Sequence, residues 1–232
     1  MAHTYSRAGT RTSSTGNPIT VASTAINAGE TVFVVMLHVV GGTNRAGGSL
    51  TLGPYTLTQA NSTQKAVTSP EGSTELWYLV NALPGSYTLT IPNTGALTIR
   101  YQTAWGMAKG GGTSFFRAAN GSNNTSTNPT PGAVTAVIGD IGFATVFSGA
   151  TTWAPSARAG TQIQDTDDGA FGGGTQYKLI VANGSDTLSW TFGTSDDWGA
   201  VSAYFGETDA QAFNQYFGFD AGDGISVTEK IR

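Results

Sequence analysis

Apolar and polar residues alternate along most of this 232-residue chain, and no other feature of the sequence constrains the fold as much. Residues 87–91, 97–101 and 188–192 each carry an apolar side chain at every second position. A period of two is typical of strands with one buried face and one solvated face. No window of a dozen residues shows a clear 3.6-residue helical period, and residues 209–217 come nearest to it. The sequence therefore predicts an all-β fold.

One segment departs from this alternation, because residues 32–40 are apolar on both faces. Val32, Val34 and Met36 would face one way, and the intervening Phe33, Val35, Leu37 and Val39 would face the other. A strand of this kind is typically covered on both sides. Turn sequences rich in glycine, asparagine and proline separate the predicted strands, as at 27–29, 83–85 and 183–184. We therefore expect several strands joined by tight turns.

Charge and composition exclude several classes of protein. The chain has 11 basic and 15 acidic side chains, a net charge of −4, which does not fit a basic nucleic-acid-binding surface. It has no cysteine, so neither disulfides nor thiolate metal sites can form. We find no apolar run of signal-peptide length at the start and none long enough to span a membrane. We expect no nucleic-acid partner and no membrane partner.

A weak internal repeat divides the chain into two parts. Residues 73–89 and 174–188 share a strand, a turn and a second strand with the sequence Gly-Ser-x-Thr-Leu. A glycine and an acidic residue open an apolar strand before each copy, at 29–30 and at 139–140. Each copy contains four or five predicted strands, which suits two small sandwiches or two halves of one jelly roll.

We favour a single jelly-roll-like antiparallel β-sandwich, because each copy alone offers few strands that could be buried on both faces. The sandwich covers residues 19–206, with halves at about 19–110 and 133–206 and a polar crossover at 111–132. An N-terminal arm at 1–18 precedes it, and a C-terminal extension at 207–232 follows it.

Several segments resemble a β-sandwich domain found among bacteriophage tail and capsid-associated proteins and in some secreted bacterial proteins. The resemblance covers roughly residues 19–206 and is carried by five short segments: 29–35, 75–80, 84–90, 152–155 and 197–201. It implies a structural or binding role in a virion, and it brings no family catalytic residues.

Candidate catalytic residues are few. His38 lies in the apolar segment and would need a nucleophile and an orienting acid, whereas a hydrogen-bonded histidine near a strand end needs neither. His3 falls in the predicted arm. Glu71 and Glu75 are the nearest approach to a glycosidase pair, but Pro70 and Gly72 keep Glu71 out of the following strand. We expect the protein not to be an enzyme.

Metal and phosphate sites are weakly supported as well. Residues 165–169, Asp-Thr-Asp-Asp-Gly, resemble the start of a calcium loop but lack the closing glutamate, so an aspartate-rich turn is the simpler interpretation. The glycine runs at 110–112 and 172–174 lack a following Lys-Ser/Thr and are interpreted as flexible turns. We expect no metal and no cofactor.

Aromatic residues supply the candidate binding residues. Trp105 and Trp190 fall in phase with core positions. Trp153, close to Pro155, and Trp198, after two aspartates, are candidates for an exposed rim that could stack on sugar rings, with packing at strand ends as the alternative.

The C-terminal extension supplies the candidate interface. Its apolar side chains are costly to leave in water, and residues 225–228 alternate as a short strand that could add to a sheet edge. The extension could cover its own sandwich or dock on a neighbour, and the sparsely charged surface favours the neighbour. The predicted interface residues are Phe213, Tyr216, Phe217, Phe219, Ile225 and Val227.

The resemblance, together with the scarcity of candidate catalytic residues, implies a non-enzymatic bacteriophage structural protein that is located in the virion, on the capsid surface or the tail. It would act by assembly with other virion proteins and as a homo-oligomer. The alternative is a carbohydrate-binding adhesin that holds a host glycan.

Overall fold

A computed structural model describes residues 2–9, 12–14, 18–40, 48–65, 72–92, 100–149, 155–167 and 172–208. The described part of the chain consists of nineteen β-strands and their connections, without a helix. Every strand pairing in it is antiparallel. The predicted all-β antiparallel sandwich is therefore confirmed.

Ten of the described strands belong to the first half of the protein. They are β1 (Thr4–Ala8), β2 (Thr12–Ser14), β3 (Ile19–Ile26), β4 (Glu30–Val40), β5 (Thr51–Leu52), β6 (Tyr55–Thr56), β7 (Thr58–Lys65), β8 (Gly72–Val80), β9 (Gly85–Ile91) and β10 (Arg100–Lys109). An inner sheet has the order β1-β10-β4-β8-β7, with β2 also paired to β10, and an outer sheet has the order β3-β9-β5-β6.

The other nine described strands belong to the second half. They are β11 (Thr113–Ser126), β12 (Val134–Ala136), β13 (Ile141–Ser148), β14 (Pro155–Arg158), β15 (Thr161–Asp167), β16 (Gly172–Leu179), β17 (Gly184–Asp186), β18 (Trp190–Phe192) and β19 (Asp196–Thr208). Its inner sheet has the order β11-β19-β13-β16-β15, and its outer layer consists of two ladders, β12-β17 and β14-β18.

The two inner sheets therefore have the same strand order, which shows the internal repeat in three dimensions. Their apolar residues form three cores. One lies between the two sheets of the first half, one between the inner sheet and outer ladders of the second half, and one between the two inner sheets. The layers follow one another as outer, inner, inner, outer, so both inner sheets are covered on both faces.

Strand β4 shows why residues 32–40 carry apolar side chains on both faces. Phe33 and its alternate neighbours pack in the core of the first half, whereas Val32, Val34 and Met36 pack in the core between the inner sheets. The prediction of a strand covered on both faces is confirmed.

The jelly-roll arrangement is not confirmed. Each half has its own two-layered sandwich and its own core, which corresponds to the alternative of two small sandwiches. Strands buried on both faces do not require a single jelly roll here, because the two inner sheets cover each other and each half gains its second buried face from the other.

Two predicted boundaries also change. Residues 4–8 and 12–14 of the predicted arm are strands of the first inner sheet, paired with β10. Most of the predicted polar crossover is β11, which pairs along its length with β19 at the edge of the second inner sheet. Its side chains are largely half-buried or exposed, which explains why an edge strand has the composition of a loop.

An arginine–carboxylate pair recurs at the equivalent place in each half. Arg7 of β1 donates two hydrogen bonds to Glu30, from Nε at 2.8 Å and from Nη2 at 3.0 Å. Arg117 of β11 donates from Nη2 to Asp140 at 2.9 Å. Both carboxylates are buried and both follow a glycine with positive φ, 81° at Gly29 and 91° at Gly139. Each pair ties the first strand of its half to the turn before the central strand.

Candidate functional site

His38 lies between the two inner sheets. Its Nε2 is 2.5 Å from the hydroxyl of Thr145 in β13, and both residues are buried. A β-carbon on Gly173 would lie 2.5 Å from the His38 ring, so the absence of a side chain there lets β16 approach the histidine. The expectation of a hydrogen-bonded histidine near a strand end is confirmed. The interpretation of residues 172–174 as a flexible turn is wrong, because they begin β16.

The acidic residues that the sequence offered as catalytic or calcium-binding candidates make contacts within the protein where the structure describes them. Glu75 is buried and accepts a hydrogen bond from Nε1 of Trp77 at 2.7 Å, and Glu71 lies outside the described residues. Asp165 pairs with Arg158, whose Nη1 is 2.8 Å away, and residues 165–167 belong to β15 rather than to a turn. Residues 168–169 also lie outside the described part of the chain.

The tryptophans do not form an exposed platform in the part of the chain that the structure describes. Trp77, Trp105, Trp190 and Trp198 are all buried. The placement of Trp198 at an exposed rim is wrong, because its ring packs in the core of the second half and its Nε1 donates to Ser126 Oγ at 3.0 Å. The core positions of Trp105 and Trp190 are confirmed. Trp153 lies outside the described residues.

The predicted interface residues Phe213, Tyr216, Phe217, Phe219, Ile225 and Val227 also lie outside the described residues, which end at Thr208. The structure does describe where the chain enters this segment. The C-terminal end of β19 lies at the end of the molecule where residues 110–112 connect the two halves, which we call the junction end.

A buried polar cluster occupies the junction end. The backbone N–H of His3 donates to the Gly139 carbonyl at 3.0 Å, and His3 Nε2 is 2.8 Å from Ser114 Oγ. Ser114 Oγ is in turn 2.7 Å from Thr31 Oγ1, and the Asn81 amide bonds to both backbone groups of Ser114 at 2.7 and 2.9 Å. The cluster joins residues of both halves, so His3 is a structural contact and not part of a separate arm.

Burial is the main influence on His3, and it lowers the pKa of the imidazole below its ordinary value of 6.5. The carboxylates of Glu207 and Asp140 oppose this effect. Both carboxylate oxygens of Glu207 are buried and have no hydrogen-bond partner among the described residues. His3 and Ser114 have the spacing of a base and a hydroxyl nucleophile, but each is only 2% exposed. The pair is therefore closed to substrate and serves to join the halves.

The junction end also exposes aliphatic side chains. Val137, Ile138, Leu179 and Val181 are 36%, 61%, 39% and 80% exposed, and we call these four residues the aliphatic corner. Backbone hydrogen bonds between Gly139 and Ile180 and between Ile180 and Asp140, both 2.9 Å, place the two turns side by side. The Ile138 N–H also donates to Asn183 at 2.7 Å. Exposed aliphatic groups in one place make the corner a candidate interaction surface.

The first half shows that the turn carrying Val137 and Ile138 does not require aliphatic residues. In its equivalent turn, the Asn27 N–H donates to Glu30 at 2.7 Å, just as the Val137 N–H donates to Asp140 at 2.8 Å. Asn27 and Ala28 therefore occupy the places that Val137 and Ile138 occupy in the second half. The same turn forms with a polar residue and a small residue, so it does not require valine and isoleucine.

Sequence reasoning missed the aliphatic corner, although the signal was present. The repeat had already aligned the glycine–acid pairs at 29–30 and 139–140. Extending that alignment by two residues toward the N-terminus would have set Asn-Ala against Val-Ile.

Comparisons with protein-family models, with curated proteins and with solved structures found no significant match for the chain. Across the described ranges, no three histidine, aspartate or glutamate side chains are grouped so that they could hold a metal ion. The described residues also contain no helix that is long and apolar enough to cross a membrane.

Proposed function

We propose that this chain is a non-enzymatic structural protein of a bacteriophage virion, acting on the capsid surface or the tail through assembly with copies of itself and with other virion proteins. The observation that carries the proposal is the aliphatic corner. It exposes four aliphatic side chains, and two of them, Val137 and Ile138, lie in a turn that the first half builds with Asn27 and Ala28.

The rest of the molecule has features expected of a structural subunit. Its two sandwiches share a core, and its buried charged groups are largely satisfied internally, as in the pairs Arg7–Glu30 and Arg117–Asp140. Exposed aliphatic area loses contact with water when two proteins associate, and that burial favours assembly. The assignment to a bacteriophage rests on the resemblance of residues 19–206.

A carbohydrate-binding adhesin is the alternative, and it predicts a different result. An adhesin would need exposed aromatic faces, and the four tryptophans that the structure describes are buried. Its remaining candidate is Trp153.

Mass spectrometry of purified phage particles tests the proposal, because a structural subunit is present in a fixed number of copies per particle. Hundreds of copies would indicate capsid decoration, and a few would indicate the tail. Absence from washed particles, combined with binding of the free protein to host polysaccharide, would contradict the proposal and support the adhesin.

A further inference from the structure

We propose that the aliphatic corner of one copy binds residues 209–232 of a neighbouring copy. This inference rests on the proposed function, because it takes self-assembly as the role of the chain. It adds the receiving surface and the segment that occupies it.

The position of the corner is the first argument. In the second inner sheet, Phe205 of β19 lies opposite Ile141 of β13, and Ile141 lies opposite Leu179 of β16. Two strand spacings, roughly 10 Å, therefore separate Phe205 of β19 from Leu179 of the corner. The chain passes Thr208 at the same end of the molecule where the exposed aliphatic side chains lie.

The chemistry of the following segment is the second argument. Residues 209–232 contain four aromatic side chains within seven positions, and these complement an aliphatic surface by apolar burial. The four are Phe213, Tyr216, Phe217 and Phe219.

The reach of that segment is the third argument. Its 24 residues can extend to roughly 80 Å, which exceeds the distance to an adjoining subunit of this size. Charged residues are only 11% of the chain, so copies repel one another weakly when they approach.

Two full-length variants test the pairing by complementation. The corner variant, Ile138→Ser with Val181→Ser, keeps its C-terminal segment, and the segment variant, Phe213→Ser with Phe217→Ser, keeps its corner. We expect each variant alone to self-associate at least ~10-fold more weakly than the unaltered protein in sedimentation velocity. An equimolar mixture should form a complex with one copy of each, because an intact segment meets an intact corner. Leu83→Ser, at a 69% exposed leucine of the first half, is the matched control and should associate normally.

Each contrary outcome overturns the inference in a recognisable way. If the segment variant loses association while the corner variant keeps it, the segment binds elsewhere and the proposed assembly role survives. If the two variants do not complement each other, the segment does not bind the corner of a neighbour. If the unaltered protein is monomeric but cross-links form between corner and segment within one chain, the segment covers its own sandwich.

Discussion

Asn27 and Ala28 stand in the first half where Val137 and Ile138 stand in the second, and around them the two halves are built alike. Both have the same inner-sheet order, and both hold their first strand to the central turn with an arginine and a buried carboxylate. They differ in the outer layer, which is a four-stranded sheet in the first half and two short ladders in the second.

This comparison distinguishes features that both halves share from those found in one half. The glycine with positive φ and the arginine–carboxylate pair recur in both halves, so they are common features of the two sandwiches. The Val137–Ile138 pair of the corner has Asn27 and Ala28 as its counterpart, so this turn does not require aliphatic residues. An internal repeat therefore provides a control within the same molecule.

The largest effect is expected from the core that the halves share. Phe205 is fully buried between the inner sheets, and its ring contacts those of Tyr78, Phe116 and Phe143. Phe205→Ala should lower the free energy of unfolding by about 3–5 kcal/mol in urea titrations. Fluorine NMR of labelled tryptophans should show Trp77 of the first half and Trp190 of the second losing their native signals together. Separate transitions would mean that the halves are independent.

The arginine–carboxylate pairs should give the next largest effects, and the two halves should differ. Glu30 accepts hydrogen bonds from Arg7, the Asn27 N–H and Ser6, whereas Asp140 accepts from Arg117 and the Val137 N–H. We expect Glu30→Gln to cost about 3 kcal/mol and Asp140→Asn about 2 kcal/mol. Chemical denaturation of both variants at neutral pH measures the difference. Equal costs would show that the extra bonds to Glu30 contribute nothing.

Acid should remove the contribution of Glu30. Burial raises the pKa of this carboxyl, but the hydrogen bonds from Arg7, Asn27 and Ser6 outweigh burial and lower the pKa from 4.5 to about 2. A lowered carboxyl pKa stabilises the fold above the unfolded-state value, and the stabilisation is lost as the pH falls toward 2. The difference in unfolding free energy between the unaltered protein and Glu30→Gln should therefore become smaller from pH 4.5 downward. A difference that stays constant would contradict a lowered pKa for Glu30.

The smallest expected effect on folding concerns the contact between the halves at His3. Because burial lowers the pKa of this imidazole, the unfolded chain takes up a proton below pH 6.5 while the folded chain resists it. The free energy of unfolding should fall as the pH drops through 6.5. In His3→Gln it should fall by less over the same pH range. Melting temperatures at pH 7.5 and pH 5.5 for both proteins provide the test. If the melting temperatures of both proteins fell equally between the two pH values, a group other than His3 would be taking up the proton.

The sequence predicted the strands well and the assembly of strands less well. The alternation of apolar residues identified β9, and the doubly apolar pattern identified β4, because burial of a face acts directly on residue choice. The pattern could not distinguish a partner sheet within one jelly roll from a partner sheet in a second sandwich, since both bury the same face. Edge strands such as β11 were missed because pairing on one side leaves them a polar composition.

The candidate site was harder to predict than the fold, because it depends on contacts between distant segments that the sequence does not show. Tryptophan near turn residues suggested an exposed rim, but the hydroxyl of Ser126 satisfies the indole N–H of Trp198 inside the molecule. The aliphatic corner is formed by two turns about forty residues apart, and only their hydrogen bonds show that they are adjacent.

Exchanging the turn between the halves tests the central claim most directly. The double variant Val137→Asn, Ile138→Ala gives the second half the turn residues of the first, and both altered side chains are exposed. We predict that the unfolding free energy changes by less than about 0.5 kcal/mol, as is usual for surface positions, while self-association in sedimentation velocity weakens clearly. Self-association equal to that of the unaltered protein would show that the aliphatic corner is not the assembly surface.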